Sequence, residues 1–258
     1  MNLPSDPLVV TLQERSATLT FGRPPLNILD LDTLAALDGA LASLAGEPEL
    51  QLLFVRGEGE RAFSAGVAVQ DHTPDKLDRM LASFHGVIRR LRSLEAMSVA
   101  LVDGNCLGGG LELASACDLV IATERSRFGL PEIKLGCYPP VALALYPRRI
   151  GLGRTLELAL TGRLFDAAEA VRLGLVDEVV APDRLAARAA ELAAAIGAHS
   201  AAVTRLAVRA ARAGADRPFA TALAEAERIY LRELAATDDM KEGLAAFAGK
   251  RPPTWRQR

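Results

Sequence analysis

The apolar positions of this chain alternate between two periods. Residues 8–10 and 17–21 are short β-type runs on either side of Glu14-Arg15-Ser16, which predicts a hairpin. Leu34, Leu37, Leu41 and Leu44 then fall at helical spacing and predict a helix over 32–44, with Asp30 or Asp32 as its cap. The unbroken apolar run 52–55 predicts a buried strand ending in the turn Gly57-Glu-Gly59. A long amphipathic helix follows over 75–94, its face set by Leu77, Leu81, Phe84, Val87, Ile88 and Leu91. Residues 98–102 and 119–122 are two further short strands. Strands that alternate with helices need crossover connections, so the fold class is α/β. Past residue 150 the strand signal fades, 176–180 apart, and helices are predicted over 156–160, 166–173, 182–196, 201–213 and 219–235. The chain therefore divides into an α/β core over 1–190 and a smaller helical region over 191–258, with an irregular basic tail at Lys250-Arg-Pro-Pro-Thr-Trp.

Composition narrows the partners. The 30 basic and 32 acidic residues nearly cancel, so net charge gives no reason to expect nucleic acid or an anionic membrane. Cys106, Cys117 and Cys137 are odd in number and widely spaced, without a CxxC, which argues against disulfides and structural zinc and for a reducing compartment. The first residues, Met-Asn-Leu-Pro-Ser-Asp, lack the basic segment and apolar core of a leader. No apolar run reaches the roughly 18 residues a membrane span needs. A soluble, cytoplasmic protein is expected.

Two glutamates stand out chemically. Glu112 closes the run Cys106-Leu-Gly-Gly-Gly-Leu-Glu112, and Glu132 closes Phe128-Gly-Leu-Pro-Glu132; both lie in nearly uncharged surroundings. On a helix over 108–116, the neighbours of Glu112 three and four residues away are Gly108, Gly109, Ser115 and Ala116, none of them basic. Triple glycine at a loop-to-helix junction permits positive φ and close approach of a ligand to the backbone. The first N–H groups of such a helix have no internal partner, which suits a developing oxyanion. Read alone, Gly108-Gly-Gly110 is more often a tight turn or a close packing contact. A second glycine element, Ala62-Phe-Ser-Ala-Gly66-Val67, offers another backbone donor. Ser64 in it does not complete G-x-S-x-G and reads as a turn residue. Taken together, two carboxylates and two glycine elements favour acid–base chemistry on a polarised carbonyl. His72, His85 and His199 show no metal-ligand spacing, and His72 falls in a loop before a helix while His85 falls on a helix face. No GxxxxGK[ST] or GxGxxG follows a strand, so no nucleotide or dinucleotide cofactor and no metal is expected. Cys137 has no activating neighbour in sequence and reads as a packed thiol.

In this order the residues resemble the enoyl-CoA hydratase/isomerase (crotonase) superfamily. The likeness runs from Arg23-Pro-Pro-Leu-Asn27 through Phe63-Ser-Ala-Gly66, Gly108-Gly-Gly-Leu-Glu112 and Phe128-Gly-Leu-Pro-Glu132. It continues through Leu160-Thr-Gly162 and Ala170-Val-Arg-Leu-Gly-Leu-Val-Asp-Glu178 to Glu242-Gly-Leu-Ala-Ala-Phe247. The resemblance implies a crotonase-like spiral of ββα units with a C-terminal α-helical region that serves oligomerisation, as a homotrimer or a homohexamer built as a dimer of trimers. It implies that Val67 and Gly109 donate N–H groups to the thioester oxygen of an acyl-CoA, and that Glu112 and Glu132 occupy both hydratase glutamate positions. Ala65, Phe247 and Lys250 match CoA-binding positions, the last two often serving a neighbouring subunit; coenzyme A enters as part of the substrate. The expected activity is hydration of an α,β-unsaturated acyl-CoA, with isomerase, thioester hydrolase or an inert CoA-binding scaffold as alternatives.

Two departures bear on the reaction. Ala68 stands where the family often has Asp. Gly136-Cys-Tyr-Pro-Pro-Val-Ala-Leu replaces a glycine-rich loop, so that Pro140, with no N–H, falls where a glycine donor usually helps hold the catalytic water. Together with Gln70-Asp-His-Thr-Pro-Asp-Lys76, this segment is similar to a branch that hydrates cyclic dienoyl-CoA thioesters of the cyclohexa-1,5-diene-1-carbonyl-CoA type. Tyr138 and Pro140 would then wall an acyl pocket shaped for a ring; a loop that still serves linear substrates is the alternative.

Overall fold

The computed structural model describes residues 7–257; the N-terminal segment read above as carrying no leader lies outside the described residues, as does Arg258. The predicted hairpin forms from β1 (Leu8–Gln13) and β2 (Ser16–Phe21), antiparallel, with Glu14 at φ 50° closing the turn. Helix α1 (Leu31–Leu44) starts at Asp30, whose side chain accepts from the Thr33 N–H.

From there the chain repeats one unit. β3 (Leu52–Gly57) and β4 (Ala62–Ser64) lead into α2 (Leu77–Ser93). β5 (Met97–Val102) and β6 (Asn105–Leu107) lead into the short α3 (Gly109–Ser115). β7 (Leu119–Thr123) and β8 (Arg127–Gly129) lead through a single 3-10 segment, Pro131–Leu135, into α4 (Pro140–Arg149). In each unit the first strand joins a six-stranded sheet of order β1-β2-β3-β5-β7-β10 and the second joins a four-stranded sheet of order β4-β6-β8-β9. This alternation is the expected spiral of ββα units. α5 (Leu152–Thr161), β9 (Leu164–Asp166), α6 (Ala167–Leu173) and β10 (Glu178–Val180) complete the sheets. The remainder is helical: α7 (Leu185–Gly197), α8 (Ala201–Gly214), α9 (Phe219–Arg232) and α10 (Asp238–Ala248). Among the described residues, no helix is long and apolar enough to cross a membrane.

The central strands of the six-stranded sheet, β3, β5 and β7, are buried on both faces, and their pleat sorts alternate residues between two apolar clusters. Leu53 and Val55 of β3 join Ala17, Leu19 and Phe21 of β2 in the main core, with Leu34, Leu37 and Leu41 of α1 and Phe84, Val87 and Leu91 of α2. Leu52 and Phe54 point the other way, with Val99, Leu101 and Ile121, against Leu185, Leu192 and Ile196 of α7. Of Leu77 and Leu81, expected on the core face of α2, the first is instead exposed and the second only half-buried. Met80 takes the buried place one turn before Phe84.

Helix α4 was not foreseen, since Pro139-Pro140 reads as a loop. Pro140 is its first residue, where a missing N–H costs nothing because that donor has no helical acceptor. The C-terminal tail is irregular as expected, yet it is tied down. Trp255 Nε1 donates to the Ala198 carbonyl at 2.9 Å, and the N–H groups of Arg256 and Gln257 donate to the Asp239 carboxylate at 2.6 and 2.9 Å.

Candidate active site

Three parallel strands of the four-stranded sheet end side by side, and each delivers one part of the site. After β4 come Ala65, Gly66 and Val67; after β6 come Gly108 and Gly109, opening the helix that carries Glu112; after β8 come Leu130, Pro131 and Glu132.

The glycines are what allow this convergence. A Cβ on Gly110 would lie 2.6 Å from the Ser64 carbonyl oxygen, one on Gly109 would lie 2.7 Å from Val67 Cγ2, and one on Gly108 would lie 2.8 Å from Glu132 Oε1. Gly108, at φ 52°, and Gly66, at φ 106°, also sit in backbone regions that side chains rarely enter. The close-packing reading of the triple glycine is therefore right, and it coexists with open donors. Among the described residues, neither the Val67 N–H nor the Gly109 N–H has a protein acceptor. The Ser64 hydroxyl donates to the Asn27 carbonyl at 2.8 Å and accepts from the Gly66 N–H at 3.1 Å, so Ser64 is the turn residue its motif suggested.

Glu112 is 3% exposed and forms no ion pair among the described residues. Its Oε1 accepts the Ala142 N–H at 2.9 Å, at the start of α4. Proline at 140 thus removes one donor, while a later N–H of the same helix end reaches the carboxylate. Burial pushes Glu112 up to about 7; the Ala142 N–H opposes that rise and the neighbouring Glu132 charge adds to it. Glu132 is likewise raised above the usual carboxylate value, by burial first, with its own backbone N–H and the His72 charge opposing. Its Oε2 is buried without a hydrogen-bond partner among the described residues.

Both glutamates and both open N–H groups line one cavity of about 310 Å³. Ala65, Tyr138 and Pro140 line it too, as do Leu77, Leu81 and Phe84 from α2, so the leucines missing from the core wall the cavity instead. Cys137, expected to be packed, stands half-buried in the cavity wall. The sequence reading passed over His72 and His85, and both line the cavity. One signal was available: His85 lies one residue from Phe84 on the helix that faces the site. Phe247 and Lys250 are not brought to this cavity. Phe247 is 88% exposed on α10 and Lys250 follows that helix. Among the described residues, no group of His, Cys, Asp and Glu is arranged to hold a metal ion.

Among the described residues, the arrangement provides two unpaired donors beside two carboxyls that burial raises, Glu112 to about 7. Residues 12–258 match the enoyl-CoA hydratase/isomerase family. The chain belongs to that family. It is 38% identical to the cyclohexa-1,5-dienecarbonyl-CoA hydratase of Thauera aromatica over the full length of both chains. It is 33% identical to the crotonyl-CoA hydratase of Syntrophomonas wolfei over 95% of each. The crystal structure of an enoyl-CoA hydratase from Bacillus anthracis superposes with a TM-score of 0.91 at 30% identity, covering 98% of this chain and all of the other. The family member described here is accordingly an enzyme of the enoyl-CoA hydratase type, a carbon–oxygen lyase with the crotonase fold.

Proposed function

We propose that this enzyme adds water to the α,β double bond of an acyl-CoA thioester, and that a cyclic dienoyl group is its acyl class. The observation that carries the reading is the meeting, in one apolar-walled cavity, of two N–H groups partnerless among the described residues, the buried Glu112 and the half-buried Glu132. The Val67 and Gly109 N–H groups receive the thioester oxygen and gain strength as negative charge grows on it. One glutamate takes a proton from water as its oxygen bonds to the β-carbon. The π electrons pass to the α-carbon and thioester oxygen, and the second glutamate protonates the α-carbon. The two carboxyls end with their protons exchanged and reset through solvent. Carboxyls raised by burial are suited to this: Glu112, pushed up to about 7, can hold or release a proton near neutral pH, and burial raises Glu132 above the usual carboxylate value as well.

Ala65 borders the same cavity and is assigned to the thioester end of CoA. The exposed Phe247 and Lys250 are assigned to the adenine and phosphate of CoA in the site of a neighbouring copy, which requires a trimer or a hexamer. For the acyl group, Tyr138, Pro139 and Pro140 form a wall in which two fixed φ angles replace a flexible loop. A stiff wall in a cavity that Leu77, Leu81 and Phe84 also line suits a planar ring better than a mobile chain.

Crotonyl-CoA, cyclohex-1-ene-carbonyl-CoA and cyclohexa-1,5-diene-carbonyl-CoA, each incubated with the enzyme and read by mass, test the proposal. Gain of one water on the cyclic diene is expected. Water gained mainly on crotonyl-CoA would assign linear enoyl thioesters instead. A double bond moved without a change of mass, or free CoA released, would put isomerase or hydrolase in place of hydratase.

A further inference from the structure

The only basic side chains among the described residues lining the cavity are two imidazoles, His72 and His85, and the reaction above uses neither. They differ in kind. His85 Nε2 is buried with no hydrogen-bond partner among the described residues, and burial first, then the charge of Arg89, hold the ring below the ordinary imidazole range. His85 is therefore a neutral ring at pH 7. His72 sits in the turn directly after the Val67 donor. Its Nδ1 lies 3.0 Å from the Ala68 carbonyl, which also accepts the Asp71 N–H at 3.0 Å. A carbonyl can only accept, so Nδ1 carries the proton. Nε2 makes no bond to a described residue and is not among the buried partnerless atoms, so it stays open.

We infer that His72 is a positioning residue of this site: the Ala68 carbonyl fixes its ring beside the Val67 donor, leaving Nε2 free at the cavity that Glu132 shares. In this role it acts through two neighbours. The Nδ1 bond stiffens the turn that aims the Val67 N–H, a segment held on its other side by the Ala68 N–H donating to the Leu29 carbonyl at 3.2 Å. Charge on the His72 ring favours the carboxylate form of Glu132, whose Oε2 is buried without a hydrogen-bond partner among the described residues. The remaining titratable groups around the cavity are Glu112 from α3, His85 from α2, and Cys137 and Tyr138 from the loop before α4; on its own turn, Asp71 is paired with Lys76 at 3.4 Å. None of these supplies a free cation to Glu132, so the assignment falls to His72.

This inference rests on the hydratase reading, and its test separates the two. The full chain is assayed on whichever of crotonyl-CoA and cyclohexa-1,5-diene-carbonyl-CoA it hydrates faster, and kcat/KM is followed against pH. Wild type, Glu132→Gln, His72→Asn and His72→Ala are compared, with thermal melting to show that each is folded. Asn keeps a donor at the Nδ1 position and cannot become a cation; Ala keeps neither. Wild type should show a limb that Glu132→Gln abolishes. In both His72 variants that limb should move to higher pH by about 1 on the pH scale, because a favourable charge near the carboxylate is gone. His72→Ala should also lose roughly 10-fold in kcat/KM at every pH, the loss expected when an oxyanion donor is loosened rather than removed, and His72→Asn should recover most of it. If His72→Ala does not fold, His72→Asn alone decides. A limb at the wild-type pH in folded His72→Asn, with hydration intact in the wild type, overturns this inference and leaves the hydratase reading standing. Absence of hydration by the wild type overturns both.

Discussion

The two sheets are threaded by the same chain in alternation, yet they are built on opposite principles. The central strands of the six-stranded sheet, β3, β5 and β7, bury side chains on both faces and run five or six mostly apolar residues each. Each four-stranded-sheet strand is three residues long, and the chain beyond them is glycine, proline and a lone carboxylate. The first sheet gains by filling space; the second, by keeping Cβ atoms out so that three strand ends can meet. Within each ββα unit the first strand thus serves stability alone, while the second, though its Phe63, Cys106 or Phe128 also packs into the main core, ends at the chemistry.

Substitutions should respect that separation. Leu53→Ala, in the main core, should lower stability by about 2–5 kcal/mol while leaving kcat of the folded fraction near wild type, as denaturant melts and active-site-normalised rates will show. The converse is Gly108→Ala, whose Cβ would press on Glu132 Oε1 at 2.8 Å from a φ of 52°. It should reduce kcat by about 10²-fold, the scale of one misplaced catalytic group, with a stability loss of about 1–3 kcal/mol. A drop in activity for Leu53→Ala as deep as for Gly108→Ala would dissolve the distinction between the sheets.

Glu112 sharpens the comparison, because an ionisable group in such a site works against folding. Its carboxyl is raised to about 7, so the stability associated with its protonated form is complete below the unfolded value and is lost as pH rises through about 7. Glu112→Gln, which can still accept the Ala142 N–H, should match wild type at about pH 3.5, below the unfolded value. It should exceed it near pH 9 by on the order of 2–3 kcal/mol in urea melts. Equal stabilities at both pH values would show that the carboxylate is not strained by its surroundings. The smallest effect is expected at Pro140→Ala: a first-turn proline gives way to a residue with one more donor. Stability should change by less than about 1 kcal/mol, and activity should persist if Ala142 is the donor that matters to Glu112.

The same division explains what could be read from sequence. Hydrophobic period located β2, β3, β5 and β7 and the helices packed on them, because each of those elements buries enough side chains to leave a repeat. Three-residue strands leave none, so the second sheet was invisible even though the residues at its strand ends, Gly66, Gly108 and Glu132, drew attention by their chemistry. Their meeting in space depends on parallel pairing between segments about 20 to 40 residues apart, which no local pattern encodes. Helix α4 was hidden by its two prolines, read as loop where the second is a helix start. Leu77 and Leu81 were assigned to the core because a cavity wall and a core face carry the same apolar period. His72 and His85 were set aside as unsuited to metal, although the fold turns both to the cavity.

The account stands on two carboxylates working together in one cavity, and the direct measurement is the rate of water addition by wild type, Glu112→Gln and Glu132→Gln on the same enoyl-CoA under single-turnover conditions. Both variants should fall by about 10²–10⁴-fold while still binding the thioester. Either variant hydrating at the wild-type rate would contradict the paired mechanism and return the site to proton transfer by a single base.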